Sequence, residues 1–191
     1  MRHHRQDVID RALQVLDEYG LADLSMRRLA AELGVQPSAL YHHVANKQEL
    51  LAALADEVLG RTRSVPAVEG QPWQQLVVAR CEALRDAMLA YRDGAELIAT
   101  VHAFGLGAQG LADGLVEALG EGGLEPEMAQ VGARTIVHFV FGHVSEEQMH
   151  LQASAAGAIA TDLEQAPASA QTFALGLDLI VAGVEQRLAT R

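Results

Sequence analysis

The spacing of apolar residues constrains this chain more than any other feature. Val8, Ile9, Ala12, Leu13, Val15 and Leu16 recur at steps of three and four. That is the period of a helix with one buried face, not the two-residue alternation of a strand. The same period returns in Leu50, Leu51, Leu54 and Val58, in Trp73, Leu76, Val77, Leu84, Met88 and Tyr91, and in Phe173, Leu177, Ile180, Val181, Val184 and Leu188. Aromatic residues make up only 4% of the chain and β-branched runs are short, so little favours sheet. The expected fold class is all-α.

Glycines and caps divide the helical pattern. Gly20 ends the first helix, because a glycine takes the left-handed conformation without a Cβ clash. Ser25 is a suitable N-cap for Met26–Leu33, which Gly34 stops. Ser38 is expected to cap a very short helix running through His43. Asn46 and Glu49 have the spacing of a capping box, opening a helix that continues to Arg63. Pro66 and Glu69-Gly70-Gln71-Pro72 interrupt the pattern, and a domain boundary is expected there: residues 1–63 form one domain and 64–191 another. In the second, a long helix covers Trp73 to Tyr91 and a short apolar segment covers Ala95–Phe104. Gly105–Gly110 reads as a loop, and Leu111, Leu115, Val116 and Leu119 as a helix ended by Gly122-Gly123. Pro126 suits a first helical position and opens a helix to about Leu151. Residues 153–170, rich in Ala, Ser, Gly and Pro, read as flexible, before a last helix around Phe173–Leu188.

Composition narrows the function classes. No run approaches the ~18 continuous apolar residues of a membrane span, the first residues are polar, and the single cysteine, Cys81, excludes an intrachain disulfide. A cytoplasmic protein is expected. Its net charge is −11, unevenly spread: residues 1–63 hold 8 Lys+Arg against 9 Asp+Glu, whereas 64–191 hold 6 against 16. The acidity lies in the second part, so the total does not exclude a small basic face in the first. Gly105-Leu106-Gly107-Ala108-Gln109-Gly110 has the glycine spacing of a dinucleotide loop. No strand pattern precedes it and Gln130 stands where an acid is needed, so it reads as an interhelical loop. Cys81 reads as a packing residue. No Ser/His/Asp order or carboxylate pair suggests catalysis, and no cofactor is expected.

Residues 25–47 carry the sharpest signal. Two short helices joined at Gly34 make a compact angled unit, with Leu29, Ala30, Leu33, Val35 and Leu40 facing inward. The second helix then presents Ser38, Ala39, Tyr41, His42 and His43. Hydroxyls, imidazoles and a small apolar group suit base edges, thymine methyls and phosphates. Lys47, the only lysine of the chain, begins the next helix, where its ammonium and the helix amides can both meet a phosphate. Arg27, at the start of the preceding short helix, can reach a guanine or a phosphate.

Leu24-Ser25-Met26-Arg27-Arg28-Leu29-Ala30, Leu33-Gly34-Val35, Leu40-Tyr41-His42-His43-Val44 and Asn46-Lys47 together resemble the N-terminal signature of the tetracycline-repressor (TetR) family over about 45 residues. The resemblance implies a three-helix head whose third helix enters the major groove of double-stranded DNA. It implies that Arg27 reads a base, that Pro37, Ser38, Ala39, Tyr41, His42 and His43 lie on the recognition helix, and that Lys47 clamps a phosphate. His42 departs from the family pattern, which often has a second aromatic there.

A looser resemblance to the ligand domain of the family's tetracycline-binding branch continues through Glu69-Gly70-Gln71-Pro72-Trp73, Tyr91-Arg92-Asp93-Gly94-Ala95, Gly142-His143-Val144-Ser145-Glu146-Glu147-Gln148 and Phe173–Ile180. It implies a small-molecule inducer in the C-terminal domain and a homodimer built on a four-helix bundle from the helices near 125–151 and 170–188. Where that branch has a metal-binding histidine, this chain has Ile98. A second drug-contacting histidine aligns with Arg63, the drug-contacting asparagine with Arg80, and the relay loop with Val101-His102-Ala103; only Glu146 is retained. The implied inducer is metal-free and mostly apolar. Arg80, His102, His138 and Glu146 are candidate polar anchors, and Leu84, Met88, Ile98 and Phe104 candidate walls. The expected function is a repressor on a palindromic operator, released by its inducer. A ligand-independent or activating regulator, and an all-α enzyme using the C-terminal cavity, are the alternatives.

Overall fold

The computed structural model describes residues 4–60, 65–159 and 168–190. These hold nine α-helices and no strand, as the apolar spacing requires: α1 Arg5–Tyr19, α2 Met26–Glu32, α3 Pro37–Leu40, α4 Lys47–Leu59, α5 Trp73–Leu89, α6 Gly94–Ala103, α7 Asp113–Glu121, α8 Pro126–Ala155 and α9 Ala170–Ala189. A single 3₁₀ turn, Gln109–Leu111, precedes α7. The connecting helix, expected to reach Arg63, ends at Leu59 with Gly60 as its C-cap, since a glycine costs a helix more backbone entropy than any other residue; Arg63 and part of the Ala/Ser/Gly/Pro-rich segment lie outside the described residues.

Several boundaries differ from the sequence reading, each for a local reason. Helix α3 starts at Pro37 and is capped by Gln36 rather than Ser38. Proline needs no amide partner and its fixed φ suits a first helical position. The helix also stops at Leu40, and Tyr41–His43 form a turn. The capping box of α4 reaches one residue further than expected: the Asn46 side chain accepts from the Glu49 amide (2.8 Å), while Glu49 accepts from the Ala45 amide (2.6 Å). Helix α8 runs on to Ala155. Ser169, placed by sequence in the flexible stretch, is instead the N-cap of α9, with its hydroxyl accepting from the Thr172 amide.

The chain packs as two compact units, Met1–Arg61 with Ala87–Gln109, and Thr62–Asp86 with Gly110–Arg191. In the first, α1 buries Val8, Ile9, Ala12, Leu13, Val15 and Leu16 against the fully buried Leu29, Leu40, Leu50 and Leu54 of the next three helices. Each fully buried leucine contributes roughly 1.5–3 kcal/mol relative to exposure. Leu97, Ile98 and Val101 of α6 are also fully buried here, and α4 packs on α6.

The end of α1 is closed from a distance. Gly20 has φ +84° and its amide donates to the Leu16 carbonyl (2.8 Å). The next amide, Leu21, donates to Asp93 Oδ2 at 2.8 Å. The Arg92 amide donates to Asp17 Oδ1 (3.1 Å) and its guanidinium to the Glu18 carbonyl (3.3 Å). A cation beside the last carbonyls of a helix opposes the negative end of its dipole. Asp93 itself is left-handed, at φ +57°, a conformation Asp tolerates better than most residues.

In the second unit, α7 and α9 pack on α8, which buries Ala133, Ile136, Val137, Val140 and Val144. Arg85 Nε donates to Glu147 Oε2 at 2.8 Å and its Nη2 donates to the other carboxylate oxygen. The guanidinium carbon lies 5.6 Å from the Phe173 ring centroid. Glu147 is buried, so losing Arg85 would strand a desolvated charge, which typically costs about 3–5 kcal/mol.

A side chain at Gly20 is excluded twice, by its positive φ and because a Cβ would lie 2.6 Å from Asp93 Oδ2. Gly20→Ala is expected to lower stability by about 1–3 kcal/mol, read as a lower urea midpoint by circular dichroism. An unchanged midpoint would show that the Asp93 contact does not hold α1.

Candidate functional site

Helices α2 and α3 pack on one another around Leu29, Ala30 and Leu40. Gly34 makes the turn between them with φ +65°, and the Val35 amide returns to the Ala30 carbonyl (3.0 Å). The Ser25 hydroxyl caps α2 by accepting from the Arg28 amide at 3.2 Å. This holds a rigid corner from which the polar residues of 36–43 emerge.

Gln36, Pro37, Ser38, Tyr41 and His42 are exposed, Ala39 and His43 half-buried. Tyr41 is 53% exposed although large and aromatic, so folding leaves its ring available. Val44 and Leu40, on either side, are buried and anchor the turn. Arg27 is exposed and Lys47 half-buried, and neither has an ion-pair partner among the described residues. The neighbouring Arg28 is occupied: its guanidinium lies 4.2 Å from the Tyr19 ring centroid and 3.5 Å from Asp23. Arg11 pairs with Glu32 across α1 and α2. Arg11 and Arg28 are thus taken by Glu32 and Asp23, while Arg27 and Lys47 stay uncommitted near the Tyr41-His42-His43 turn in the chain. Such a face can meet a polyanion through fixed cations and read base edges with hydroxyl and imidazole groups.

The residues read from sequence as effector contacts divide between the units. Met88, Ile98, His102 and Phe104 belong to the first. Met88 and Ile98 are fully buried there, His102 is half-buried, and Phe104 is 71% exposed. Arg80, Leu84, His138 and Glu146 belong to the second. Leu84 is buried, while His138 and Glu146 are exposed on α8. Arg80 is already engaged, donating to the Gly114 carbonyl and lying 3.6 Å from Glu117. The donor set does not fit a magnesium site: Ile98 offers only hydrocarbon, and Glu146 is one exposed acid where a divalent ion needs several oxygens.

His143 Nε2 lies 3.0 Å from the Ser169 carbonyl. A carbonyl only accepts, so Nε2 carries the proton and the ring braces the start of α9. It also stacks edge-on against Phe173, 5.3 Å between centroids.

Sequence reasoning missed one feature of α8 and α9. Val131, Thr135, His138, Gly142, Glu146 and Met149 form an exposed row at three- and four-residue steps, and Thr172, Leu175, Leu179, Ala182 and Gln186 form another. Val131, Met149, Leu175 and Leu179 are each more than half exposed. The buried stripes of these helices dominate the hydropathy pattern, so the second, outward stripe was hidden within it.

The family profile described as bacterial regulatory proteins, tetR family, matches residues 8–54. The tetracyclin repressor-like C-terminal domain profile matches residues 65–171. Tetracycline repressor protein class A from transposon 1721 of Escherichia coli is 40% identical over 164 residues, covering 85% of this chain and 74% of that protein. The crystal structure of Mycobacterium smegmatis BioQ superposes with a TM-score of 0.87 at 39% identity, covering 96% of this chain and 98% of that one. A structure of BioQ with its natural double-stranded DNA operator gives 0.81 at 37% identity, with the same coverage.

Cys81 is buried in the second unit, and burial, with a smaller contribution from Glu82, pushes its thiol up to about 12. A neutral buried thiol is a poor nucleophile. It is expected to resist an alkylating reagent at pH 8 in the native protein and to react promptly in denaturant, as read by mass spectrometry. Rapid native labelling would overturn its assignment as packing. Because the folded state holds this proton more tightly, its contribution to stability is full below the thiol's unfolded pKa and is lost as pH rises towards 12.

Proposed function

The chain belongs to the tetR family of bacterial regulatory proteins, and from that premise we propose that it is a homodimeric repressor that holds a palindromic operator and releases it when a small molecule occupies its C-terminal domain. The observation that carries this reading is the head: a capped helix-turn-helix that buries its apolar face and leaves Arg27, Tyr41, His42 and Lys47 uncommitted on the outside. Residues 1–63 supply DNA binding and 64–191 supply effector binding and dimerisation. The protein works in the cytoplasm, where its operator is; among the described residues no helix is long and apolar enough to cross a membrane. It is a binding protein, with no catalytic step.

In this reading Arg27 contacts a base edge from the start of α2, and Pro37, Ser38, Ala39, Tyr41, His42 and His43 present the recognition surface. Lys47 and the first amides of α4 hold a phosphate. The exposed rows of α8 and α9 suit a four-helix bundle with a second copy, because they would otherwise be wetted apolar stripes. Two heads on one dimer then read half-sites about 34 Å apart. The effector acts by preferring the dimer conformation whose heads do not match that spacing; equal affinity for both conformations would shift nothing.

Candidate effector contacts are assigned within each unit separately: Met88 and Ile98 as apolar groups with His102 and Phe104 in the first, and Leu84 as an apolar group with Arg80, His138 and Glu146 in the second. With Ile98 in place of a metal-binding histidine, the effector is mostly apolar and needs no magnesium.

A gel-shift assay on DNA upstream of the protein's own coding region is expected to show retardation at low salt. Tyr41→Ala and Lys47→Ala should each weaken it about tenfold or more, Lys47→Ala also lowering the salt slope by about 1. Failure to retard any fragment, with the dimer intact, would refute the regulator reading. Leu179→Glu should give a monomer by sedimentation, and a persistent dimer would place the interface elsewhere. Tetracycline with magnesium should leave the DNA complex intact; release would show that Ile98 does not exclude the metal-chelated drug.

A further inference from the structure

We propose that His42 makes operator binding proton-linked, so that this head grips DNA more tightly as the pH falls through the neutral range. The inference rests on the DNA-binding reading of the head and adds a regulatory property to it.

The argument begins with charge. The first 63 residues are close to neutral, and two of the arginines packed around the helix-turn-helix are consumed internally. Arg11 is paired with Glu32 and Arg28 with Asp23 and the Tyr19 ring. Beside the recognition turn, Arg27 and Lys47 are left. A duplex presents one negative charge per ~1.7 Å of its axis, so a further cation at this turn strengthens the grip. Imidazole is the side chain that gains a positive charge within the physiological pH range, and two stand in succession at His42 and His43.

His42 is the better placed. It is exposed, whereas His43 is half-buried beside Val44, which is buried. Its backbone is held by the amide's bond to the Ala39 carbonyl (3.4 Å) and by the next amide's bond to Leu40 (2.8 Å), so a DNA contact from it needs little ordering of the chain.

The charged and titratable groups around the turn are few. From α2, the helix packed on α3, they are Arg27, Arg28 and Glu32. From α4 they are Lys47 and Glu49, and the turn itself adds Tyr41 and His43. Both acids are occupied, Glu32 by Arg11 and Glu49 by the Ala45 amide at 2.6 Å. No uncommitted carboxylate stands in this set. A phosphate arriving at the turn supplies the missing anion. The neutral ring offers one N–H, while the protonated ring offers two and a charge. Binding DNA therefore takes up a proton at each head, and by linkage affinity rises as protons become more available.

The test uses the full-length dimer and a duplex from its own upstream region, with a random-sequence duplex of equal length, at pH 6 and pH 8 and constant ionic strength. The expected result is binding at least about tenfold tighter at pH 6, with a salt slope steeper by about 0.9 for each added phosphate contact. His42→Gln keeps a hydrogen-bonding side chain without the titration. It should flatten the pH dependence, bringing the affinities at pH 6 and pH 8 to within about twofold of one another whatever it does to their common level. His43→Gln should keep most of the pH dependence, and Lys47→Ala should weaken binding equally at both pH values. His3, His4, His43, His102, His138, His143 and His150 all remain in His42→Gln, so a pH effect surviving in that variant would assign it to one of them and overturn the proposal. Binding that is equally tight at both pH values in the parent would overturn it as well, without touching the DNA-binding reading. Absence of binding to either duplex at pH 6 and low salt would instead sink that reading.

Discussion

A carboxylate placed on the end of a helix 72 residues earlier holds the first unit together. Asp93 accepts the Leu21 amide just past α1, where an unpaired buried donor would otherwise cost about 1–3 kcal/mol. Arg92, its neighbour, supplies the opposite charge to the last carbonyls of the same helix. The two residues close α1 with a hydrogen bond and a favourable charge at once. The first unit is discontinuous in sequence for this reason: α6 and the turn before it pack with the helix-turn-helix, not only with the segments that adjoin them.

That constraint bears directly on function. The recognition turn is held by α2 and α4, both packed on α1, and α1 is held by the Arg92-Asp93 turn. A contact that fixes the base of the head fixes the orientation of everything it carries. Residues 87–109 include Ile98 and His102, so part of the proposed effector surface is in the same packed unit as the DNA-reading face. Helix α6 thus packs within the same unit as the helix-turn-helix.

Electrostatics in the two units follow different rules. In the head, ion pairs are partly exposed, worth little individually, and matter by what they leave over: Arg27 and Lys47 stay free because the other cations of the corner are taken. In the second unit, Arg85 and Glu147 are desolvated and bidentate, so they fix how α5 meets α8. The chain's strong acidity lies in residues 64–191, which hold 16 Asp+Glu against 6 Lys+Arg, whereas residues 1–63 are near neutral.

The sequence by itself determined the helical class, the order of the helices in the head and the caps that open α2 and α4. Those features are local: apolar period, Ser25 and Asn46 caps, and a glycine where φ must be positive. Both ends of α3 were misplaced, because Pro37 and Ser38 both suit a helix start and the proline prevailed, and because the chain turns at Tyr41 instead of continuing to His43. Tertiary structure alone decided the rest. Arg80, free in sequence, is spent on the Gly114 carbonyl and Glu117; Phe104 and His138, read as effector contacts, are exposed; and Asp93 is the partner of Leu21. Each depends on which segments distant in the chain meet, and no period within a helix encodes that. Apolar spacing says which face is buried, but two helices with the same spacing can meet many partners. The polar contacts that select one partner, such as Asp93 on α1, become visible only once the chain has closed.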